Sequence, residues 1–478
     1  MIKVLSVASE CAPLIKTGGL ADVAGALPAA MIDQGCEMRT LLPGYPAVLN
    51  ALGRKAKIAM EVPNCFGGPA RIKRGKVEGL EIYVLDAPHL FDRPGAIYVD
   101  KNGVDYEDNP ERFAALSWVA AQIGAAGIGR WKPEILHLHD WQAALAPVYL
   151  QKLNPAQIVR TVLTIHNIAF HGIAPANRLN ALKLPATGFT VDGFEFWGKI
   201  SALKAGLAYS DALTTVSPTY ANELATPEFG MGLDGIIRQR RDVLTGILNG
   251  IDEKAWNPAI DALIAAPYKT PRGKAKNRAA LISELELNVG DGPLCVVVSR
   301  LTGQKGLDLL LEALPALVDR GGALALLGLG EASLEKAWAD AAKHPNVAVR
   351  IGYDETLSHR LIAGGDAILV PSRFEPCGLT QLYGLRYGSV PLVAHTGGLA
   401  DTIIPANDAG LRAGVATGIQ FAPITSDALA QSLIKLCELY AQADVWAKLQ
   451  RNAMRHRVDW AASAGQYANL YRNLINRT

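Results

Sequence analysis

Short apolar runs alternate with longer helical patterns along almost the whole chain, and this alternation limits the possible folds most strongly. The predicted strands lie at residues 2–9, 81–87, 134–140, 161–167, 212–217, 294–300, 323–330, 347–353, 367–373 and 390–396. These runs are apolar nearly throughout, as is typical of parallel strands that are buried on both faces. Helical patterns such as 308–319 and 334–342 lie between them. The sequence therefore predicts an α/β fold with doubly wound parallel sheets.

One six-residue sequence, TGGLAD, occurs twice, at 17–22 and at 396–401. Each copy follows an apolar run and precedes a helix-compatible run, and the copies lie near opposite ends of the 478 residues. This duplication favours two Rossmann-like domains over a solenoid. The boundaries that we predict are 1–242 for the first domain, 243–457 for the second, and 458–478 for a terminal helix that packs back on the first domain.

Composition excludes several classes of protein. The chain has 47 basic and 45 acidic residues, so its formal net charge of +2 gives no global field that would gather nucleic acid or an anionic membrane. The six cysteines are scattered without the spacing of zinc ligands, which favours free thiols in a reducing compartment. The N-terminus is typical of a core strand, and the weakly polar stretch 114–129 is too short to span a bilayer. We expect a cytoplasmic protein without nucleic-acid or membrane partners.

Ligands of open parallel sheets bind beyond the carboxyl ends of the strands, so the residues there are the candidates for a site. After the first strand, Lys16 precedes Gly18 and Gly19. Two glycines allow close approach of the backbone to a ligand, and the following helix would direct N–H groups toward an anion. A plain tight turn with a surface lysine is the alternative.

Polar residues also end two further strands of the first half. Asp140 follows one strand, and His166 and Asn167 follow the next. Asp140 is interpreted as an acceptor or electrostatic group, with a helix N-cap as the alternative. We expect Asp140 and His166 to lie on neighbouring strand ends. His137 and His139 would share one face of their strand, but no further Cys or His cluster near them favours a metal.

The second half supplies the cations. Arg300 and Lys305 follow a strand and precede a helix, which favours binding of a diphosphate over two solvated surface charges. Glu375 follows another strand and could bind sugar hydroxyls or cap a helix start. No GxGxxG follows the first strand with an acid about 20 residues on, and the Walker A motif and the GxSxG elbow are missing from the sequence. The residues alone therefore indicate two Rossmann-like domains around a cleft and a nucleotide-dependent transferase, and they leave the sugar open.

Six motifs occur in a characteristic order: KTGGLADV, HxHDWQ, TIHNIAFHG, SRLTGQKG, PSRFEPCGLTQLYGLRYG and HTGGLADT. Together they resemble bacterial glycogen synthases and the related plant starch synthases over essentially the whole chain. The resemblance implies a GT-B glycosyltransferase, with two Rossmann-like domains around a deep cleft. The implied reaction transfers glucose from ADP-glucose to the non-reducing 4-hydroxyl of an α-1,4-glucan, with retention of configuration. Glycogen or a maltooligosaccharide would be the acceptor.

The resemblance also implies roles for individual residues. The implied catalytic residues are Asp140, His166, Arg300, Lys305 and Glu375. The implied substrate-binding residues are Lys16, Gly18, Gly19, Asp22, Tyr98, Asn167, Asn249, Tyr353, Cys377, Gly378, Leu379 and Thr380. Among these, Tyr353 would lie against the adenine. Many retaining GT-B enzymes carry a second glutamate eight positions after the first, where this chain has Tyr383.

No carboxylate is clearly placed as a nucleophile, so we expect front-face displacement in which the departing phosphate takes the acceptor's proton. A covalent intermediate on Asp140 or Glu375 is the rival mechanism. We expect no cofactor and no essential metal. The alternatives that remain open are the same transfer from UDP-glucose, a different GT-B sugar transferase, a glucan phosphorylase with pyridoxal phosphate, and a glucan-binding protein without catalysis.

Overall fold

The computed structural model describes residues 1–53, 55–153 and 159–476. They form two compact units: the first comprises Met1–Asn249 and the segment from Trp460 onward, and the second comprises Gly250–Asp459. The predicted boundary after residue 242 lies too early, because Leu244–Gly246 pairs with Ala212–Thr215 in the sheet of the first unit. Residues 477 and 478 of the predicted terminal helix lie outside the described residues.

The first unit contains a nine-stranded sheet and a small three-stranded one. Its strands are β1 (Ile2–Val7), β2 (Cys36–Pro43), β3 (Lys57–Val62), β4 (Ala70–Val77), β5 (Leu80–Asp86), β6 (Ile135–His139), β7 (Arg160–Ile165), β8 (Ile173–Pro175), β9 (Glu195–Phe196), β10 (Lys199–Ser201), β11 (Ala212–Thr215) and β12 (Leu244–Gly246). The large sheet has the order β12-β11-β7-β6-β1-β2-β5-β4-β3. Its strands pair in parallel from β12 to β5, and β4 and β3 are antiparallel additions at one edge. The chain reverses its direction of winding between β1 and β6, where open sheets of this type bind ligands.

Nine helices connect the strands of the first unit within the described residues. They are α1 (Gly19–Ile32), α2 (Pro46–Leu52), α3 (Pro88–Phe91), α4 (Asn109–Ala126), α5 (Asp140–Ala143), α6 (Ala146–Leu153), α7 (Ala202–Tyr209), α8 (Pro218–Glu223) and α9 (Asp234–Gln239). Proline opens α2, α3, α4 and α8 at a position where its missing N–H costs nothing. The hydroxyls of Ser201 and Ser217 accept N–H groups at the starts of α7 and α8.

The second unit is an all-parallel doubly wound sheet. Its strands are β13 (Leu294–Val298), β14 (Ala323–Gly328), β15 (Val347–Ile351), β16 (Ala367–Val370), β17 (Val390–Ala394) and β18 (Ile419–Phe421), in the order β15-β14-β13-β16-β17-β18. Its helices are α10 (Lys274–Leu285), α11 (Leu307–Ala313), α12 (Pro315–Val318), α13 (Ala332–Ala341), α14 (Glu355–Gly364), α15 (Thr380–Tyr387), α16 (Gly397–Thr402), α17 (Asp408–Ala413), α18 (Ser426–Ala441) and α19 (Ala443–Arg455). This strand order is that of a Rossmann fold, with its switch point between β13 and β16.

The last helix, α20 (Ala461–Ile475), packs on the first unit. It buries Tyr467 and Tyr471 in a cluster with Val4 and Val23 of the large sheet and of α1. The Tyr471 hydroxyl lies 2.8 Å from Nδ1 of His137. In the part of the chain that the structure describes, no helix has both the length and the apolar character needed to cross a membrane.

Candidate active site

Three buried histidines lie at the switch point of the first sheet. His139 Nδ1 is 2.9 Å from His166 Nε2, and His139 Nε2 is 3.1 Å from the Ser6 hydroxyl. His137 points to Thr164, 2.6 Å away on the neighbouring strand β7. Burial lowers the pKa of all three imidazoles, that of His139 to about 3. They are therefore neutral at pH 7, and they position one another instead of carrying charge.

Asp140 is held at the end of β6 in an unusual backbone conformation. Its φ of 53° lies in the left-handed region, which residues other than glycine adopt rarely and mainly at functional positions. One carboxylate oxygen accepts the N–H of His166 at 2.6 Å and that of Asn167 at 3.4 Å. The predicted convergence of Asp140 and His166 is thus confirmed, and the N-cap interpretation is wrong because the carboxylate turns to the end of β7.

The charge of Asp140 changes near neutral pH. Burial raises the pKa of this carboxyl to about 7, and the nearby charge of Glu10 adds to the rise. The two N–H groups of His166 and Asn167 act in the opposite direction without cancelling the effect of burial. A carboxyl with such a pKa in a strand-end site is a typical functional group.

Glu10 holds the loop that carries the first TGG sequence, and the sequence analysis missed it. Its carboxylate accepts the Thr17 N–H at 2.5 Å, the Thr17 hydroxyl at 2.8 Å and the Gly18 N–H at 3.1 Å. The Tyr98 hydroxyl donates to the same carboxylate at 3.0 Å and lies 2.7 Å from the Ser9 hydroxyl. The signal in the sequence that could have identified Glu10 was an acidic residue directly after the first predicted strand. Its partners, however, are far away in sequence or are backbone groups.

The two TGG copies need their glycines for different reasons. A Cβ on Gly18 or Gly19 would meet no atom within 4 Å, and neither residue has a positive φ. A Cβ on Gly397 would lie 2.0 Å from the Glu375 carbonyl oxygen, and one on Gly398 would lie 2.3 Å from that of Cys377. Packing within the second unit thus requires the second pair. The first pair leaves open space beside the backbone at the start of α1, as an approaching ligand requires.

Three further predicted residues of the first unit have been placed. Lys16 forms an ion pair with Asp22 at 2.8 Å and stays partly exposed. Asn249 is buried at the end of the unit, and its side-chain oxygen has no hydrogen-bond partner among the described residues. A buried acceptor without a partner is unfavourable in the isolated protein and fits a donor supplied by a ligand.

In the second unit, Lys305 and Glu375 meet across the switch point. Lys305 Nζ lies 2.5 Å from Glu375 Oε2, and the Ser372 hydroxyl donates to the same oxygen at 2.9 Å. Both side chains of the pair are largely buried. The alternative that Glu375 caps a helix is wrong, since α15 begins only at Thr380 and the carboxylate turns to the lysine.

Further contacts hold the two loops of this site together. The Arg373 guanidinium binds both carboxylate oxygens of Asp308, at 2.7 and 2.6 Å, and its backbone N–H donates to Gln304. Gly306 has a φ of 63°, and a Cβ there would lie 2.0 Å from the Pro371 carbonyl oxygen. The residues on both sides of Lys305, Gln304 and Gly306, therefore pack against the loop that follows β16, and these contacts fix the position of the lysine.

Unpaired donors lie on the same strand-end loops as Lys305 and Glu375. The N–H groups of Gly378, Leu379 and Thr380 at the start of α15 reach no acceptor in the described part of the chain. Arg300 is exposed, and its guanidinium pairs with no described residue. Cys377 is buried beside them. This arrangement of cations and helix N–H groups suits an anion of more than one charge.

Two tyrosines of this unit differ in exposure. Tyr353 follows the edge strand β15, is 79% exposed and donates its hydroxyl to Glu355 at 2.6 Å. Tyr383, eight positions after Glu375, is partly buried and stacks on Trp256 with ring centroids 3.8 Å apart. Among the described residues, no three His, Cys, Asp or Glu side chains are grouped as a metal site would require.

Comparisons with known proteins agree with this geometry. A model of the starch synthase catalytic domain matches residues 3–239, and one of glycosyl transferases group 1 matches residues 282–453. A glycogen synthase of Paracoccus denitrificans is 62% identical, with 98% of this chain and 99% of the relative aligned. One from Jannaschia is 57% identical, with 99% of both chains aligned. The catalytic domain of starch synthase IV from Arabidopsis thaliana, solved with ADP and acarbose, has a TM-score of 0.90 at 31% identity and full coverage of both chains.

Two Rossmann-like units with these matches define a glycosyltransferase of the GT-B class, so the expected fold class is confirmed. At such identities over the full length, the chain belongs to the glycogen synthase family. The expected enzyme class is confirmed with it, and the individual residue roles stay predictions.

Proposed function

We propose that this chain elongates an α-1,4-glucan by transferring glucose from ADP-glucose to the non-reducing 4-hydroxyl. The Lys305–Glu375 pair beside the unpaired N–H groups of α15 carries this proposal, because it offers positive charge for a diphosphate and a carboxylate for sugar hydroxyls. The relatives are glycogen synthases, and the Arabidopsis thaliana structure holds ADP and acarbose. A cytoplasmic location stays a prediction from the sequence.

The second unit would bind the donor. Lys305 gives one of its three N–H groups to Glu375 and keeps two for phosphate oxygens. Arg300 would bind the diphosphate with its unpaired guanidinium, and the N–H groups at the start of α15 would bind the same anion. Glu375 would accept hydroxyls of the transferred sugar. The exposed ring of Tyr353 would stack on the adenine.

The first unit would bind the glucosyl group and the acceptor. The loop at Gly18 and Gly19 leaves room for a sugar or phosphate beside its backbone. Asp140, when ionised, would accept a hydroxyl of the sugar. His166 and Asn167 fix the carboxylate by their N–H groups, and the neutral imidazole of His166 adds no competing charge.

We propose front-face displacement with retention of configuration. The acceptor oxygen forms its bond to the anomeric carbon on the side from which the phosphate oxygen departs. The acceptor's proton passes to that phosphate oxygen, and Lys305 and Arg300 stabilise the charge that grows on the diphosphate. The contacts of Glu375 support this route over a glycosyl-enzyme, because one of its oxygens is already bound to Lys305 and Ser372. Mass spectrometric trapping of a glucosylated Asp140 or Glu375 without acceptor would support the covalent route instead.

The donor is tested by incubating purified protein and glycogen with labelled ADP-glucose or UDP-glucose at matched concentrations. Strong incorporation from ADP-glucose alone supports the proposal. Incorporation mainly from UDP-glucose would retain the reaction and overturn the donor. No incorporation from either would leave only the family and the fold standing.

Transfer is expected to continue in excess EDTA at an unchanged rate, because cationic side chains and helix N–H groups can neutralise the diphosphate without Mg²⁺. The measurement is glucose incorporation with EDTA, compared with parallel samples that receive Mg²⁺. A complete loss in EDTA that Mg²⁺ restores would contradict a metal-independent reaction.

Glu10→Gln is expected to lower kcat/KM for the donor by about tenfold, since an amide can no longer accept all of the donors of Thr17, Gly18 and Tyr98. Glu10 is a positioning residue in this account. We therefore expect the KM for the donor to rise while the melting temperature stays close to that of the wild type. Glu228→Gln, at an exposed glutamate of the same unit, is the matched control. Equal kinetics for wild type and Glu10→Gln would contradict the role of the loop.

A further inference from the structure

The hairpin between β9 and β10 carries a tryptophan where its geometry disfavours one. Its two-residue turn is Trp197-Gly198, with φ values of 51° and 76°. Turns with two positive φ values strongly prefer Asn-Gly or Asp-Gly, because a bulky side chain is sterically strained there. Trp197 is also 83% exposed, whereas the other seven tryptophans, all within the described residues, are buried or partly buried. The side chain is therefore mostly in solvent at a position where the turn disfavours it.

Further aromatic and apolar side chains, exposed or partly exposed, adjoin this hairpin. Phe196 lies edge-on to Trp197 with centroids 6.4 Å apart, and edge-on to His171 at 4.9 Å. A Cβ on Gly232 would lie 3.2 Å from the Phe196 ring, so the loop of the half-exposed Met231 packs there. We call Phe170, His171, Phe196, Trp197 and Met231 the Trp197 surface.

The Trp197 surface is continuous with the candidate active site through one short turn. Asn167, whose N–H binds Asp140, accepts the Phe170 N–H with its carbonyl at 3.4 Å. Its side-chain oxygen accepts the Ala169 N–H at 3.1 Å. The turn delivers Phe170 to the surface with 57% of its area exposed. The next residue, His171, accepts the Leu203 N–H and the Ser201 hydroxyl through its carbonyl.

We propose that the Trp197 surface binds the acceptor glucan at sugar units remote from the reacting end. This inference rests on the proposed function, in which the acceptor is a polymer longer than the reacting site itself. The flat face of an indole suits the C–H face of a glucose ring, and the exposed Lys199, which lies opposite Phe196 in the hairpin, suits its hydroxyls. Continuity with Asn167 favours the acceptor over a protein partner, because a bound glucan chain would run on from the site already described.

Trp197→Asn tests the proposal without endangering the fold, since Asn-Gly is the preferred sequence of this turn. Binding of maltoheptaose and of maltotriose is measured by calorimetry, together with kcat and KM for transfer to each. We expect maltoheptaose to bind roughly fivefold more weakly, as for the loss of one aromatic contact. Maltotriose kinetics should stay unchanged. Ile58→Ser removes a half-exposed apolar side chain from β3, the edge strand of the large sheet away from this surface, and is the control.

Three outcomes overturn the proposal. Trp197→Asn could raise the melting temperature and leave maltoheptaose binding unchanged. It could weaken maltotriose and maltoheptaose equally, which would indicate a change in the reacting site. It could dissociate a dimer seen by light scattering while glucan binding stays the same, which would assign the surface to a second copy of the chain. Because binding is measured without donor, failure of glucose transfer by the wild type would refute the proposed function and leave this test valid.

Discussion

Lys305→Ala is expected to lower kcat for glucose transfer by about 10²- to 10³-fold, the usual effect of removing one group that stabilises developing charge. The lysine lies 2.5 Å from Glu375 in a largely buried pair, and its remaining N–H groups are the donors that would meet the leaving phosphate. Because charge on that phosphate grows as the bond breaks, kcat should fall more than the affinity for ADP. Initial rates of incorporation and calorimetric binding of ADP measure the two effects separately.

Two controls separate charge stabilisation from damage to the fold. Lys305→Ala leaves Glu375 buried with only the Ser372 hydroxyl as a donor, so some stability will be lost. Lys305→Arg keeps the positive charge and should retain part of the activity. Lys336→Ala breaks an exposed ion pair with Asp340 and should have no effect on activity. A Lys305→Ala enzyme within a factor of about three of the wild-type kcat would remove Lys305 from the mechanism.

The alternation of the sequence was sufficient to predict most parallel strands of the two large sheets, because strands buried on both faces leave uninterrupted apolar runs. Among the strands it missed is β2, where Glu37 and Arg39 interrupt the apolar pattern and form a partly buried ion pair. It also predicted one helix at 308–319, where the structure has α11 and α12, because Pro315 has no N–H to continue the ladder. Pro315 was a signal for this break in the sequence itself, whereas β2 is recognised as a strand only once its neighbours in the sheet are known.

The candidate site was predictable where a polar residue directly follows an apolar strand. Asp140, His166 and Glu375 were identified in this way, because each follows the carboxyl end of a strand and that end determines where the side chain lies. Glu10 follows the same rule, yet nothing in the sequence showed that its carboxylate holds the TGG loop and Tyr98. The role of the repeated TGGLAD could not be predicted from the sequence either. Its glycines leave open space beside the backbone in the first unit, whereas in the second unit they allow close packing of the backbone.

Asp140→Asn is expected to lower activity by about 10²-fold or more and, at the same time, to stabilise the protein at alkaline pH. Asn tolerates the left-handed φ of 53°, and its side-chain oxygen can still accept the N–H groups of His166 and Asn167. What the substitution removes is the buried charge. In wild type, loss of that charge on protonation should make kcat/KM fall as the pH drops below about 7.

The stability effect has a definite sign. The folded state raises the pKa of Asp140 from 3.8 to about 7, so between these values the folded protein binds the proton that the unfolded chain releases. The contribution of this group to stability is therefore complete below pH 4 and is lost as the pH rises through 7. Asn carries no charge at any pH, so Asp140→Asn should match wild type at low pH and exceed it by about 2–4 kcal/mol above pH 8.

Thermal or urea unfolding of both proteins at pH 5 and pH 8 measures this difference, with Asp242→Asn as the control at an exposed carboxylate. A gain that is present at pH 5 and larger at pH 8, together with lost transfer, would show that the protein keeps an unfavourable buried carboxylate for the sake of its reaction. Equal stability of Asp140→Asn and wild type at both pH values would mean that hydrogen bonds from His166 and Asn167 compensate the burial, and the predicted fall of activity below pH 7 would then lose its cause.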